Sequence, residues 1–312
     1  MSEILITTSS FNLNSPEIKV LRAAGYEITL NPYGRRLTED EIKGLLTPEI
    51  VGMIAGVEPL TRDVLGSAGA SSLRVISRCG IGMDSVDQDA AAERGITVCN
   101  TPDAPTRAVA ELALALILDL LRKVSFQDRT MRAGGWERPM GGLLGARTLG
   151  LVGFGRIGRK VADYAQAFGA EIIFYDPLAP TEDSRSRSLA DLLAQADIVS
   201  LHIPYNAENH HLIGAEQLSQ MKKGAYLVNT ARGGLVDEAA LLEALKGDAL
   251  AGAALDVFEK EPYTGALKDL DNIVLSAHVG SYAAEARSEQ EALAAVNLLN
   301  ALSTEQKDGT HG

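Results

Sequence analysis

The chain has 312 residues, 46% of them hydrophobic and 22% charged, a globular composition with room for two domains of ordinary size. A formal net charge of −12 sets it against nucleic-acid backbones and anionic membrane surfaces by simple repulsion, and leaves a small anionic ligand open to any local cationic pocket. Its two cysteines, Cys79 and Cys99, form neither a CxxC motif nor a disulfide framework, so buried free thiols in a reducing, cytoplasmic setting are expected.

From Met1 the chain enters a strand at once, with no basic leader region before it. Strands are predicted at 4–7, 26–30, 52–55, 74–77 and 97–99, with helical stretches such as 17–24 and 39–46 between them. Such alternation predicts a parallel sheet with right-handed crossovers. Pro102 and Pro105 break the pattern. A helix follows at about 108–123, apolar on nearly every side and therefore one to be buried, between domains or at a subunit interface. Glu111 and Asp119 interrupt it, so it does not read as a membrane span. The segment 125–147 has no clear period and holds the one tryptophan, Trp136. It reads either as an arm reaching a second subunit or as a packed surface loop.

A second alternating series begins at Thr148. Its strands are predicted at 148–153, 171–175, 198–203, 225–230, 252–257 and 273–277, and its helices at 156–168, 188–194, 215–221 and 237–246. Six strands match a full dinucleotide-binding domain. A last helix, 283–302, lies beyond the sixth strand and can return to the first domain, which makes that domain discontinuous. The tail 303–312 is polar and expected to fray.

The sharpest local signal opens this second series. Gly153, Gly155 and Gly158 follow an apolar, β-favouring run, and a helix-period stretch comes next, with Ile157, Val161, Ala165 and Phe168 on one face and Gly169 at its stop. A second strand then ends on Asp176. Strand, glycine turn, helix, strand and acid, in that order, make the dinucleotide-binding fingerprint. Gly153 permits the tight turn, Gly155 lets backbone N–H groups approach a pyrophosphate, and Gly158 lets the helix pack close. Asp176 accepts the ribose hydroxyls and repels a 2′-phosphate, so NAD is expected rather than NADP; Arg185 and Arg187 lie further along and could fold back.

In an open α/β sheet, ligands bind beyond the carboxyl ends of the strands. The third to sixth predicted strands of the second series end near His202 and Pro204, Thr230 and Arg232, Asp256 and Glu261, and His278 and Gly280. Arg232 can hold a substrate carboxylate and polarise a carbonyl. His278 can exchange the alcohol proton near neutral pH, and Glu261 can orient the imidazole and stabilise its charged form. Asp256 suits the nicotinamide carboxamide, and His202 the flank of the adenosine. The full set of cofactor candidates is Gly153, Gly155, Arg156, Ile157, Gly158, Asp176, His202, Pro204, Thr230, Asp256 and Gly280, with Thr106 from the loop before the long helix. His210 and His211 are expected on a polar loop and His311 in the tail. No metal site is read.

With these residues in hand, the chain resembles the D-isomer-specific 2-hydroxyacid dehydrogenases over nearly its whole length. The likeness includes the run from Ser77 to Asp87, the Asn100, Thr101 and Pro102 segment with Ala108 to Leu112, the glycine motif and the three catalytic segments, whose arginine, glutamate and histidine fall on Arg232, Glu261 and His278. The resemblance implies a Rossmann cofactor domain inserted in a flavodoxin-like substrate domain, with NAD as cofactor, a small anionic 2-hydroxy or 2-keto acid as substrate, and a homodimer built largely on the cofactor domains. The expected boundaries are 1–100 with 284–312 for the substrate domain and 101–283 for the NAD domain. It further implies that backbone N–H groups near Cys79, Gly80 and Ile81 bind the substrate carboxylate; Arg78 and Arg232 complete the substrate-binding candidates. Three departures put the substrate in doubt. Ala277 precedes His278 where the family often has proline, Pro105 and Thr106 stand where it has Asn-Thr, and the loop from Gly56 to Thr61 lacks the arginine that bacterial phosphoglycerate dehydrogenases use for phosphate, for which Arg78 or Arg287 could substitute. Two rivals stay open: 3-phosphoglycerate dehydrogenase proper, and a non-catalytic, NAD-sensing binding protein of the corepressor kind.

Overall fold

The computed structural model describes residues 2–8, 11, 14–179 and 182–308. The chain divides into two compact units, Met1–Pro105 with Ser281–Gly312, and Thr106–Gly280. The first unit runs β1 (Glu3–Ile6), α1 (Pro16–Ala23), β2 (Glu27–Leu30), α2 (Glu39–Leu45), β3 (Ile50–Ala55), α3 (Arg62–Leu65), β4 (Val75–Arg78), α4 (Gln88–Glu93) and β5 (Thr97–Asn100). The second holds α5 (Thr106–Arg122), α6 (Val124–Arg132), β6 (Thr148–Val152), α7 (Arg156–Ala167), β7 (Glu171–Tyr175), α8 (Leu189–Gln195), β8 (Ile198–Leu201), α9 (Ala215–Gln220), β9 (Ala225–Asn229), α10 (Glu238–Lys246), β10 (Leu250–Leu255) and β11 (Ile273–Leu275). The final helix, α11 (Ala284–Asp308), belongs to the first unit.

The first sheet is parallel in the order β2-β1-β3-β4-β5, the flavodoxin-like arrangement. Strand alternation sends Ile4 and Ile6 to one face, under α1 and α11, and Leu5 to the other, under α2 to α4. α11 lays Ala294, Ala295, Leu298 and Leu302 on that first face, a helical stripe of buried residues.

The second sheet is parallel in the order β11-β10-β9-β8-β6-β7. A single parallel bridge, Phe174 to Ser186, adds the trace of a further strand outside β7. With it, the strand order reverses at β6, as in the Rossmann fold. α5 and α7 cover one face of this sheet, over Leu151, Phe174 and Val228; α8, α9 and α10 cover the other, over Val152, Ile173 and Leu227.

The predicted elements depart from the observed ones in three places. Phe168 is 52% exposed rather than on the buried face of α7, because the helix stops at Ala167 and the residue caps its end. The segment predicted to lack a period forms α6 in its first part. No residue of α6 is buried, so no apolar stripe could announce it. Local bonds hold it instead: Asp119 accepts the Ser125 N–H at 2.7 Å, and Arg132 pairs with Asp128 one turn away at 2.8 Å. α11 continues to Asp308, past the predicted stop at 302; the remainder of the predicted tail, with His311, lies outside the described residues. α5 has its apolar stripe packed within its own unit and turns Glu111, Ala115 and Arg122 outward. Cys79 is a buried free thiol, whereas Cys99 is only half-buried. Among the described residues, no helix is long and apolar enough to cross a membrane.

Candidate active site

The glycine turn leaves β6 at its carboxyl end, where the sheet order reverses. Gly153 has φ +98°, and a Cβ there would lie 2.6 Å from the His202 carbonyl oxygen. A Cβ on Gly158 would lie 2.2 Å from the Gly153 carbonyl, so only glycine lets the helix seat against the turn. Over Gly155 the space is open, and α7 begins with no side-chain cap on its first N–H groups. That is the geometry of an anion site at a helix N-terminus.

Asp176 anchors this turn, accepting the Phe154 N–H at 2.8 Å on one oxygen and the Leu178 N–H at 2.9 Å on the other. Each oxygen keeps a lone pair for a ribose hydroxyl. Arg185 does fold back: its guanidinium lies 5.0 Å from the Phe154 ring centroid, but it is paired with Asp183 at 2.7 Å. Arg187 is bonded to the carbonyls of Ser184 and Ser186. Three polar atoms of the cofactor candidates, Thr106 Oγ1, Thr230 Oγ1 and His202 Nδ1, are buried without a partner among the described residues. The other ring nitrogen of His202 meets Ser200 Oγ at 2.9 Å, and burial lowers its pKa to about 4, so the ring is neutral at physiological pH. These orphaned groups and the open, uncapped turn fit a dinucleotide. Pro204 follows β8 on the same rim and accepts the Asn209 side chain, while Arg156 and Ile157 form the first turn of α7.

The three acid–base and cationic candidates stand at the ends of adjacent strands. Arg232 follows β9, and its Nη1 donates to the Ala231 carbonyl at 2.7 Å. Asn229, 1% exposed, staples that loop: its side chain accepts the Ala231 N–H at 3.0 Å and donates to the Arg232 carbonyl at 2.8 Å. Gly233 brings the loop flush against the next one, since a Cβ on it would fall 1.9 Å from the Phe258 carbonyl carbon. Glu261, beyond β10, accepts the Phe258 N–H at 3.2 Å and receives His278 Nδ1 at 2.8 and 3.1 Å on its two oxygens. The other imidazole nitrogen, Nε2, has no partner among the described residues and is the one left to exchange a proton.

His278 follows β11 with φ +53°. Asp256, 1% exposed, fixes this turn: its carbonyl accepts the His278 N–H at 2.7 Å, and its carboxylate accepts Ser276 Oγ, the Val279 N–H and the Gly280 N–H at 2.6, 2.9 and 2.8 Å. Its Oδ2 takes only one of those bonds and can accept another. The stapling roles of Asn229, Gly233 and Ser276 escape sequence reasoning, although each sits at a strand end, the one signal that marks it.

His210 and His211 do lie on the loop after β8. There His211 meets Glu259 at 3.0 Å, two residues before Glu261.

In the first unit, the loop after β4 is tightly bonded within the chain. The Cys79 N–H donates to the Ala55 carbonyl at 2.8 Å and the Gly80 N–H to Thr101 Oγ1 at 2.8 Å. Of the three N–H groups expected to hold a carboxylate, Ile81's alone has no acceptor among the described residues. Arg78 is 8% exposed and donates to the Cys79 carbonyl; Gly80, at φ +147°, makes room for that guanidinium, which a Cβ would meet at 1.9 Å. Arg287 pairs with Glu291 at 3.6 Å and lies 5.3 Å from the Tyr282 ring centroid.

Residues 114–280 match the family model described as D-isomer specific 2-hydroxyacid dehydrogenase, NAD binding domain. The chain is 38% identical over 97% of its length to a D-3-phosphoglycerate dehydrogenase of Methanocaldococcus jannaschii, of which it spans 58%. The chain belongs to the D-isomer specific 2-hydroxyacid dehydrogenase family. It is an NAD-dependent oxidoreductase of the α/β type. A hydroxypyruvate reductase of Thermotoga maritima is 40% identical over 80% of this chain and 84% of its own. Among solved structures, the TT0316 protein of Thermus thermophilus superposes with a TM-score of 0.89 at 39% identity, covering 97% of both chains. A D-lactate dehydrogenase of Aquifex aeolicus, complexed with NAD and lactic acid, gives 0.80 at 29% identity over 98% of both.

Proposed function

We propose that this dehydrogenase interconverts a small 2-keto acid and its D-2-hydroxy acid with Arg232, Glu261 and His278 as its catalytic residues. One observation carries the reading: the imidazole of His278 is gripped by both oxygens of Glu261 through Nδ1, which leaves Nε2 without a partner among the described residues. The glycine turn and Asp176 would hold NAD, which would supply or accept the hydride. Arg232 holds the substrate carboxylate and draws electron density from its carbonyl. His278 gives its Nε2 proton to the oxygen as the carbonyl is reduced, and Glu261 stabilises the imidazolium beforehand. Asp256 holds the carboxamide with its remaining acceptor site while fixing the histidine turn.

The molecule works as a cytoplasmic homodimer, a reading supported by two unpaired cysteines and by the exposed Val124, Met131, Trp136, Met140 and Leu143 on α6 and the segment after it. A second reading, 3-phosphoglycerate dehydrogenase proper, is favoured by the Methanocaldococcus relative. Steady-state rates on a panel of 2-keto acids with NADH, followed by absorbance, test the proposal. Turnover of at least one acid is expected; NADH binding with no turnover on any would leave the binding-protein reading instead.

A further inference from the structure

Glu261 grips His278, and the loop that carries Glu261 is tied down by a second glutamate two residues earlier. The Glu259 N–H donates to Glu238 Oε1 at 2.8 Å, and the Glu238 N–H donates to Glu259 Oε1 at 3.3 Å, so each side chain caps the other's backbone. Glu238 opens α10, whose Leu241 and Leu245 are buried, and it gives the loop after β10 a fixed point. The same Glu259 oxygen accepts His211 Nε2 at 3.0 Å. His211 is in turn fixed by backbone. Its N–H donates to the Gly234 carbonyl at 2.8 Å, and two residues on, Ile213 forms a parallel bridge with Val236. His211 has φ +52°, a conformation that a residue with a Cβ keeps only where its surroundings impose it. The loop of Arg232 lies against the same place, since a Cβ on Gly233 would fall 2.4 Å from the Glu259 nitrogen. Glu259 therefore sits where the loops after β8, β9 and β10 meet, all within the second unit.

This meeting point has a cost. Burial, with the charge of Glu259 beside it, raises the Glu238 carboxyl above the usual carboxylate range, while the Glu259 N–H and His211 pull it the other way. Two carboxylates are thus held together against their repulsion by backbone N–H groups and one imidazole. Bonds from N–H groups to a carboxylate are among the stronger that a side chain makes. The Glu259 side chain is 37% exposed, so truncating it opens no cavity in the core. What it fixes is the loop that runs on to Glu261.

We propose that Glu259 is a positioning residue for the reaction, clamping loop 258–261 onto Glu238 and His211 so that Glu261 meets His278 Nδ1 with both oxygens. The proposal rests on the reading of Glu261 and His278 as the acid–base pair. Displacing a catalytic group by about 1 Å can cost up to about 100-fold in rate. Arg232 is held separately, by the Asn229 staple, so the loss falls on kcat rather than on KM.

The test is steady-state kinetics on the full chain, with NADH and the best acid of the 2-keto acid panel. Glu259→Ala is expected to lower kcat by roughly 10- to 30-fold, with the KM values for NADH and the acid within about threefold. Glu259→Gln, which keeps an acceptor for the Glu238 N–H, is expected to stay within about threefold of the wild-type kcat. In a Glu261→Gln background, where no carboxylate is left to place, Glu259→Ala is expected to cost less than about twofold. Wild-type kcat in Glu259→Ala overturns the proposal, as does an equal loss in Glu259→Gln or an undiminished loss in the Glu261→Gln background. If Glu259→Ala does not fold, Glu238→Ala replaces it: it removes the acceptor of the Glu259 N–H, is expected to lower kcat by about fivefold, and counts against the clamp if it leaves kcat unchanged. If no acid is turned over, or Glu261→Gln leaves kcat intact, the proposed function has failed. Proton NMR then decides this proposal separately. The His278 Nδ1 proton, identified by its absence in His278→Ala, is expected far downfield in the wild type and shifted or broadened in Glu259→Ala; an unchanged resonance overturns the clamp.

Discussion

The two units repeat one architecture, and their first crossovers differ in a single respect. After β6, α7 begins with no side chain on its leading N–H groups, and a glycine turn opens onto them. After β1, α1 begins with Ser15, whose hydroxyl accepts the Ile18 N–H at 3.3 Å, and Pro16 fills the first helical position. One helix offers its N-terminus to an anion; the other satisfies it internally. The same contrast holds along the rims. The second sheet's strand ends carry Arg232, Glu261 and His278, with Glu261 bonded to His278, whereas the first sheet's strand ends bury Arg78 and Glu58. A parallel sheet fixes where a ligand goes, and the side chains at its rim decide what chemistry that place can do.

The largest expected effect tests the chemical half. His278→Ala is expected to lower kcat by roughly 10²- to 10⁴-fold while NADH binding, followed by fluorescence, stays within about threefold. Loss of cofactor affinity in proportion would place the histidine in cofactor binding instead. Next, Asp176→Ala is expected to narrow the preference for NAD over NADP by roughly 10- to 100-fold, the scale of one charge repulsion, read as a ratio of kcat/KM values. An unchanged ratio would move cofactor choice elsewhere. Asn229→Ala removes a buried staple on both sides of the Arg232 loop and is expected to destabilise the protein by about 1–3 kcal/mol in chemical denaturation. Its kcat should fall more than that of a surface variant of equal stability.

In the first unit the expected effect depends on pH. Burial pushes the Cys79 thiol up to about 11, so its reactive thiolate is scarce below that value and grows as pH rises. At pH 8 its alkylation by iodoacetamide is expected to run roughly 100-fold slower than that of an unperturbed cysteine, accelerating about tenfold per pH unit. Rapid labelling at pH 8, located by mass spectrometry, would show that the backbone around Cys79 opens readily.

Local signals made much of this legible from sequence. Apolar runs ending in glycine or a polar residue marked the strands, and the glycine triplet with Asp176 marked the cofactor turn within its own 24 residues, from 153 to 176. What escaped depends on partners distant in the chain. Glu58 reads as an ordinary loop acid until Thr7, 51 residues away, is found bonded to it. Gly233 has no motif and matters only because Phe258 lies against it. α6 escaped for the opposite reason, since a helix that buries nothing leaves no hydrophobic period to read.

The left-handed backbone of His278 carries one more consequence. At φ +53° a residue with a Cβ sits in a sparsely populated region, and Asp256 holds it there through three backbone N–H groups, at 278, 279 and 280. Glycine adopts that conformation without penalty, so His278→Gly is expected to be more stable than His278→Ala by about 1 kcal/mol, although both lack the imidazole. Heat resistance and turnover therefore select different residues at this position. A screen for thermal tolerance alone would drift toward glycine and discard the enzyme's proton donor.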